Sequence, residues 1–318
     1  MQSASRRWHH WCDLGGSGTA PDLGLAPKPR GDVSVYFPSS DTAPPSKGLI
    51  RVLTLNLRGL GGDWTDRRSA LITGLRDLQP DLVAFQDVVK TKDYDQSADL
   101  LGPDYHVIHQ SGRATNGSGV SIGSRWPVET MHQLDLRVSE RVQPDFPCTT
   151  LVTEILAPHP IGVLLFVNKR TSWQLDYEVE RELEAVAAAR FITECVNQRG
   201  LHVVLAGDFN ADPDAASVRF WTGRQSLSSI SVCYRDAWES VHPSEPGHTF
   251  SPRNPLVADW DWPFRQIDRI LVRCGEHGGP TLAIAARELA FDQPINGVWA
   301  SDHFGVVADL MVPPGSSG

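Results

Sequence analysis

Apolar positions in this chain fall mostly in short runs of strand length, bounded by glycine, proline and polar clusters. Runs near 50–56, 82–87, 105–109, 119–123, 150–156, 162–168, 202–208, 266–272 and 305–312 predict β-strands. The pattern changes to three- and four-residue spacing at Val179, Leu183, Val186, Ala187, Phe191, Ile192 and Val196. That spacing predicts a helix with Asp176 as N-cap, Glu178 and Glu180 in its first turn and Gly200 at its stop. Further helices are predicted over 66–78 and from Asp212-Pro213, where the aspartate would cap and the proline would occupy the first turn. This reading gives Asp212 a structural role and Asp214 a helix-dipole role.

The strand ends carry the chemistry. His202-Val203-Val204-Leu205-Ala206 runs into Gly207-Asp208-Phe209-Asn210, which sets a carboxylate and a carboxamide two residues apart, on one face of a buried strand's carboxyl end. In open α/β sheets that edge is where ligands bind. Glycine before the pair permits close approach of the backbone to a ligand. Asn56 stands near the end of the first strand, and Asp87 near the far end of Pro80-Asp81-Leu82-Val83-Ala84-Phe85-Gln86-Asp87. Asp268 stands near the start of Arg265-Gln266-Ile267-Asp268-Arg269-Ile270, and Ser301-Asp302-His303 precedes the last strand. Each residue alone has a plain structural explanation, such as Asn56 ending a strand. Five strands each delivering a carboxylate, an amide or an imidazole near one end are harder to explain without a site.

In order and spacing this set resembles the endonuclease/exonuclease/phosphatase superfamily, from about Leu49 to Val312. The resemblance implies an α/β fold, a four-layer α/β sandwich of two mixed β-sheets packed face to face with helices outside. It implies a catalytic domain over 47–314, behind an N-terminal extension, 1–46, whose Pro, Gly and Ser content predicts a disordered or surface-draped segment. It also implies phosphate-ester hydrolysis with Mg²⁺ or Mn²⁺. Asp87, Asn56 and Asp302 would lie at the metal, and Asp208 would orient or deprotonate water. Asn210 would hydrogen-bond a phosphoryl oxygen, and His303 would contact the phosphate or assist proton transfer, with Asp268 accepting its second N–H. A hard cation needs few protein oxygens, so one or two carboxylates suffice.

Two positions depart from the family pattern. Asp87 stands where glutamate is usual, shortening the reach to a cation. The strand through Val167 ends in Asn168-Lys169-Arg170-Thr171-Ser172-Trp173, and Lys169 is read as occupying a position where many members have histidine. Lysine can bind an anion but exchanges protons near neutrality only if burial lowers its pKa. These departures keep two alternatives open: a recruited scaffold performing elimination, cyclisation or non-phosphate hydrolysis on a small metabolite, and a non-catalytic binding protein. The retention of Asp208, Asn210, Asp268 and His303 argues against the last.

Composition bears on the substrate. The net charge is −9, and no basic run appears such as backbone-gripping nucleic-acid proteins usually show. A small-molecule or lipid-like phosphoester is therefore favoured over bulk nucleic acid. Asn168, Trp173, His248 and Trp299 are candidate substrate contacts, and the aromatic stretch Trp260-Asp261-Trp262-Pro263-Phe264 suits a partly apolar group or a stacked base. The five scattered cysteines, Cys12, Cys148, Cys195, Cys233 and Cys274, form neither a disulfide framework nor a zinc spacing. With no apolar signal segment behind Arg6-Arg7, a reducing, cytoplasmic location is expected. No stretch is long and apolar enough to suggest a transmembrane helix.

Overall fold

The computed structural model describes residues 48–313, so the expected extension over 1–46 lies outside the described residues. One six-stranded sheet runs in the order β11 (Ala283–Ala290), β12 (Gly305–Met311), β1 (Leu49–Asn56), β2 (Leu82–Val89), β4 (Ser118–Ser124), β3 (His106–His109). The other runs β5 (Val128–Asp135), β6 (Thr149–Leu156), β7 (Val163–Arg170), β8 (His202–Asp208), β10 (Asp268–Arg273), β9 (Tyr234–Asp236). Both sheets are mixed: β1–β2 and β7–β8 are parallel pairs and the remaining pairs are antiparallel.

Strand alternation assigns the layers. Val52, Ala84, Ile122 and Ala308 of the first sheet meet Leu164, Phe166, Val204, Ala206 and Ile270 of the second in one buried core. The intervening residues face outward. Leu53, Leu55, Val83 and Phe85 pack with Leu71 and Leu75 of α1 (Trp64–Leu78). Leu165, Val167, Val203 and Leu205 pack with Ala185, Ala189 and Ile192 of α3 (Glu178–Val196). The four-layer α/β sandwich expected from the sequence is the fold. A polar tie crosses the inter-sheet core: Gln86 Nε2 donates to Asn168 Oδ1 at 2.8 Å, and Asn168 Nδ2 donates to the carbonyls of Phe85 and Ser121, each at 2.9 Å.

The helix ends depart from the sequence reading. Tyr177 holds the N-cap position of α3 without a side-chain cap bond, while Asp176 lies outside and pairs with Arg141 at 2.9 Å. The next helix, α4 (Ala216–Trp221), starts after Ala215. Asp212 and Pro213 belong to the preceding turn, in which Ala215 N–H donates to the Asp212 carbonyl at 3.1 Å, so neither Asp212 nor Asp214 caps a helix. The short α2 (Gln96–Leu101) and α5 (Ala237–Val241) were not foreseen.

Candidate active site

The carboxyl ends of parallel β1 and β2 lie at the same edge of the sandwich as those of β7 and β8. Antiparallel β10 and β12 bring their amino ends there, with Asp268 opposite Asp208 in register and the Ser301–His303 turn beside Asn56. Six strands thus converge on one cleft, and the polar groups sit where the inward-facing positions run out of apolar partners.

At its centre His303 Nδ1 lies 2.9 Å from Asp268 Oδ2. Asp208 completes a buried group whose ligating atoms all fall within 4.8 Å of one another. Thr249 Oγ1 fixes the start of β10 by accepting from the backbone N–H groups of Ile267 and Asp268, each at 3.1 Å. Phe250 packs against the imidazole in an edge-on contact, 5.5 Å between ring centroids. Burial pushes the Asp208 carboxyl up to about 6; the Asp268 charge adds to this, and His303 and Arg170 oppose it. For His303, burial disfavours the cation, but Asp268 as charge and acceptor, with Asp208 and Asp302 beyond, raises its pKa to about 10. The group is arranged as a carboxylate beside a charged, oriented imidazole.

Asp208 Oδ2 accepts from Asn56 Nδ2 at 3.2 Å, and Asp208 Oδ1 accepts from the Asn210 backbone N–H at 3.0 Å. Asn210 has φ +49° and its amide donates to the Thr171 carbonyl at 3.1 Å. Asp87 lies just beyond. By plain alternation it would turn toward α1, because Gln86 faces the inter-sheet core. A register shift between Phe85 and Val88, with φ +48° at Asp87, re-aims its carboxylate into the cleft. There Asp87 accepts from Asn56 Nδ2 at 2.9 Å and Ser118 Oγ at 3.2 Å, and its Oδ1 lies 2.5 Å from Arg170 Nη2. Asp302 is 3.5 Å from Arg58 Nε.

An open recess of about 510 Å³ next to this group is lined by Asn56, Arg58, Asp87, Ser118, Asp302 and His303, among others. Two carboxylates and a carboxamide facing one recess are the oxygen donors a hard cation takes, and the open volume suits one that keeps waters. Asp87 retains lone-pair capacity on Oδ2, where Asn56 is its one hydrogen-bond donor among the described residues. The residues therefore fit a divalent cation, although Arg170 already neutralises one of the acids.

An adjoining cavity of about 140 Å³ has Asp208, Asn210 and His303 on one side and Trp173, Phe250, Trp260 and Trp262 on the other. Trp173 and Trp262 stack with centroids 5.4 Å apart, and Trp173 and Trp260 are 40% and 44% exposed. Arg170 and Arg265 also line this cavity.

The structure thus brings together Asp208, Asn210, Asp268, His303, Asp87, Asn56, Asp302 and Trp173. It does not bring in four others. Lys169 lies on the opposite face of β7 from Asn168 and Arg170, buried with its ammonium 5.2 Å from the Phe209 ring centre, in the layer beneath α3. Asn168 is consumed by the inter-sheet tie and is fully buried. Trp299 stacks on Phe304 at 6.0 Å, and neither it nor the half-buried His248 lines the two recesses. Gly207 serves a different purpose from the one expected: a Cβ there would lie 1.9 Å from the Lys169 carbonyl of the neighbouring strand, so the close approach is to β7. Arg170 and Arg265 were missed. For Arg170 the signal was available, since period two from Asn168 puts residue 170 on the cleft face.

This constellation sits on a chain whose residues 53–303 match the model of the Endonuclease/Exonuclease/phosphatase family. The chain belongs to that family. A curated relative, human sphingomyelin phosphodiesterase 2, is 25% identical over 282 residues, covering 83% of this chain but only 64% of its own length. Solved structures share the fold at low identity. Caenorhabditis elegans TDP2 superposes with TM-score 0.66 at 17% identity, covering 83% of this chain and 74% of that one. D. rerio TDP2 complexed with a single-strand DNA product gives 0.64 at 18%, covering 82% and 98%. The human Nocturnin catalytic domain with bound sulfate gives 0.65 at 16%, covering 83% and 95%. Among the described residues no helix is long and apolar enough to cross a membrane.

Proposed function

We propose that this family member is a divalent-metal-dependent phosphoesterase acting on a small-molecule or lipid-like phosphoester. The observation that carries the reading is the Asp268–His303 pair at 2.9 Å with Asp208 in the same buried group. Asp208, at the mouth of β8, takes the proton of the attacking water. His303, held cationic by Asp268, neutralises charge developing on the phosphoryl oxygens. Asn210 lines the same cavity, and the amide hydrogen not given to the Thr171 carbonyl would orient the phosphate. Asp87, Asn56 and Asp302 would hold Mg²⁺ or Mn²⁺, which when bound supplies Lewis-acid polarisation of the phosphoryl group.

The curated relative named for a sphingolipid diester, the aromatic wall and the net charge of −9 support a small or lipid-like substrate over bulk nucleic acid. One observation favours a second reading, a recruited scaffold with other chemistry: Arg170 lies on Asp87, where a cation would compete with a guanidinium. The deciding experiment is hydrolysis of bis(4-nitrophenyl) phosphate and 4-nitrophenyl phosphate with magnesium, manganese or chelator, beside an Asp208→Ala control. Metal-dependent turnover lost in the control sustains the phosphoesterase reading. Turnover no greater than the control's under every metal transfers the site to the second reading.

A further inference from the structure

Two arginines of the cleft have donors that the fold leaves without acceptors. Arg265 is 6% exposed, and its Nη1 donates to the Asn210 carbonyl at 3.1 Å. Its Nε is buried without a hydrogen-bond partner, and no carboxylate lies within ion-pairing distance of the guanidinium among the described residues. Arg170 is 7% exposed, stacked 4.3 Å over Phe146, and uses Nη2 on Asp87 while its buried Nε and Nη1 are unpartnered. Buried guanidinium N–H groups are costly to leave unpaired, so such groups mark places where an acceptor arrives with the ligand. Both side chains line the cavity that also holds Asp208, Asn210 and the indoles of Trp173, Trp260 and Trp262. Burial lowers the Arg265 pKa, as for any guanidinium charge held out of water, and the charges of Asp212 and Asp208 oppose this.

We propose that Arg170 and Arg265 form a two-guanidinium receptor for an anionic phosphoryl group whose organic substituent lies against Trp173, Trp260 and Trp262. Arg265 is held toward the anion by the Asn210 carbonyl. Arg170 reaches it by sharing or leaving Asp87. Planar guanidinium forks match the tetrahedral oxyanion in paired hydrogen bonds, and the indole faces take a flat or apolar body at low entropic cost. The substrate class that follows is an amphipathic organic phosphate: charge at the arginines, aromatic or aliphatic bulk at the wall, and neither part sufficient alone. This deepens the phosphoesterase reading and rests on it for the site, but it is a statement about binding and can be tested without turnover.

The probe is phenylphosphonate, which cannot be hydrolysed at its P–C bond, titrated into the full chain with chelator present and followed by calorimetry and tryptophan fluorescence. Wild-type protein should bind it at least tenfold more tightly than either inorganic phosphate or benzyl alcohol. Arg265→Gln should weaken it tenfold or more, Arg265→Lys should restore part of the loss, and Trp262→Leu should bring its affinity down to that of inorganic phosphate. Thermal unfolding of each variant separates this from misfolding. Equal wild-type affinity for phenylphosphonate and benzyl alcohol overturns the proposal without any variant. So does unchanged affinity in folded Arg265→Gln and Arg170→Met. Tight phenylphosphonate binding by a protein that hydrolyses neither nitrophenyl ester would leave the receptor standing and refute the phosphoesterase reading alone.

Discussion

Arg170 Nη2 lies 2.5 Å from Asp87 Oδ1, joining the end of β7 to the bulge of β2 across the mouth of the sandwich. The ion pair has two consequences. It cancels the charge of an acid proposed as a metal ligand, and it holds a guanidinium in the wall of the cavity shared with Asp208 and His303. A metal ion and Arg170 therefore compete for one carboxylate. Arg170→Met leaves Asp87 with only its neutral donors, Asn56 and Ser118. Removing a nearby positive charge of this kind should tighten Mn²⁺ binding roughly tenfold, about 1.4 kcal/mol, while lowering kcat/KM on any phosphoester. Electron paramagnetic resonance of free Mn²⁺ measures the first quantity. Unchanged Mn²⁺ affinity in the folded variant would show that Asp87 is not a ligand.

The Asp208–Asp268–His303 group fixes the pH dependence of the proposed activity. Asp208 accepts a proton from water only when ionised, and burial with its acidic neighbours holds its pKa at about 6, so the rate rises with pH through that value. His303 contributes positive charge until it deprotonates at about 10, so the rate falls with pH there. The limbs belong to the coupled group rather than to single residues. In Asp268→Asn the partner that most raises the imidazole pKa is gone while burial still lowers it. The alkaline limb should then move down by two units or more, and the acid limb should also fall because Asp208 loses a like charge. A kcat/KM profile from pH 5 to 10.5 on wild type and variant reads both limbs. An alkaline limb that stays in place would remove His303 from the proton inventory.

Central strands were legible because their period-two patterns end in motif residues. Three strands that were not foreseen, β5, β9 and β11, are all sheet edges. β5 is largely exposed and lacks an apolar face, β9 has three residues, and the alanine-rich β11 is a strand because β12 offers it a hydrogen-bonding edge. In the site, Asp208 and Asp268 lie at strand ends whose alternation is regular, while Asn210, two residues past β8 with φ +49°, and His303, in the turn before β12, were legible from their motifs. Asp87 faces the cleft only through its bulge, which alternation cannot foresee. Lys169 was misplaced by ending its strand at residue 168. Two more residues of β7 put Arg170, not Lys169, beside Asp208 in register. Arg265 depends on a loop path that no periodicity encodes.

The Gly207 position tests how tightly the two parallel strands are clamped beneath the site. Its φ is +148°, and a Cβ would meet the Lys169 carbonyl at 1.9 Å and the Lys169 backbone nitrogen at 2.9 Å, both main-chain atoms of a central strand that cannot step aside. Gly207→Ala should cost about 3 kcal/mol or more through strain and separation of β7 from β8. Chemical denaturation measures it. A loss below about 1 kcal/mol would mean that the strands part easily and that the register holding Arg170 opposite Asp208 is soft.

Lys169 separates a catalytic from an architectural lysine. Its side chain lies beneath the sheet beside Phe209, and burial lowers its pKa to about 8, while Glu184 and Cys148 pull the other way. Glu184 accepts from Ser172 N–H and Oγ–H, at 3.2 Å and 2.6 Å, and burial raises its pKa. Because the folded pKa of Lys169 is below its unfolded value near 10.5, the unfolded chain binds more protons between about pH 8 and 10.5. Lys169 alone therefore makes stability rise with pH across that window, and its charge is a burden below it. Lys169→Met should erase that rise. Near pH 7, where the buried charge is a burden with its attraction to Glu184 already counted, the substitution should leave stability unchanged or raise it, Glu184 taking up a proton in place of its lost counter-charge. Activity per folded molecule should stay within about twofold, since the ammonium does not reach the cleft. A hundredfold fall in kcat with unchanged stability would return Lys169 to the reaction.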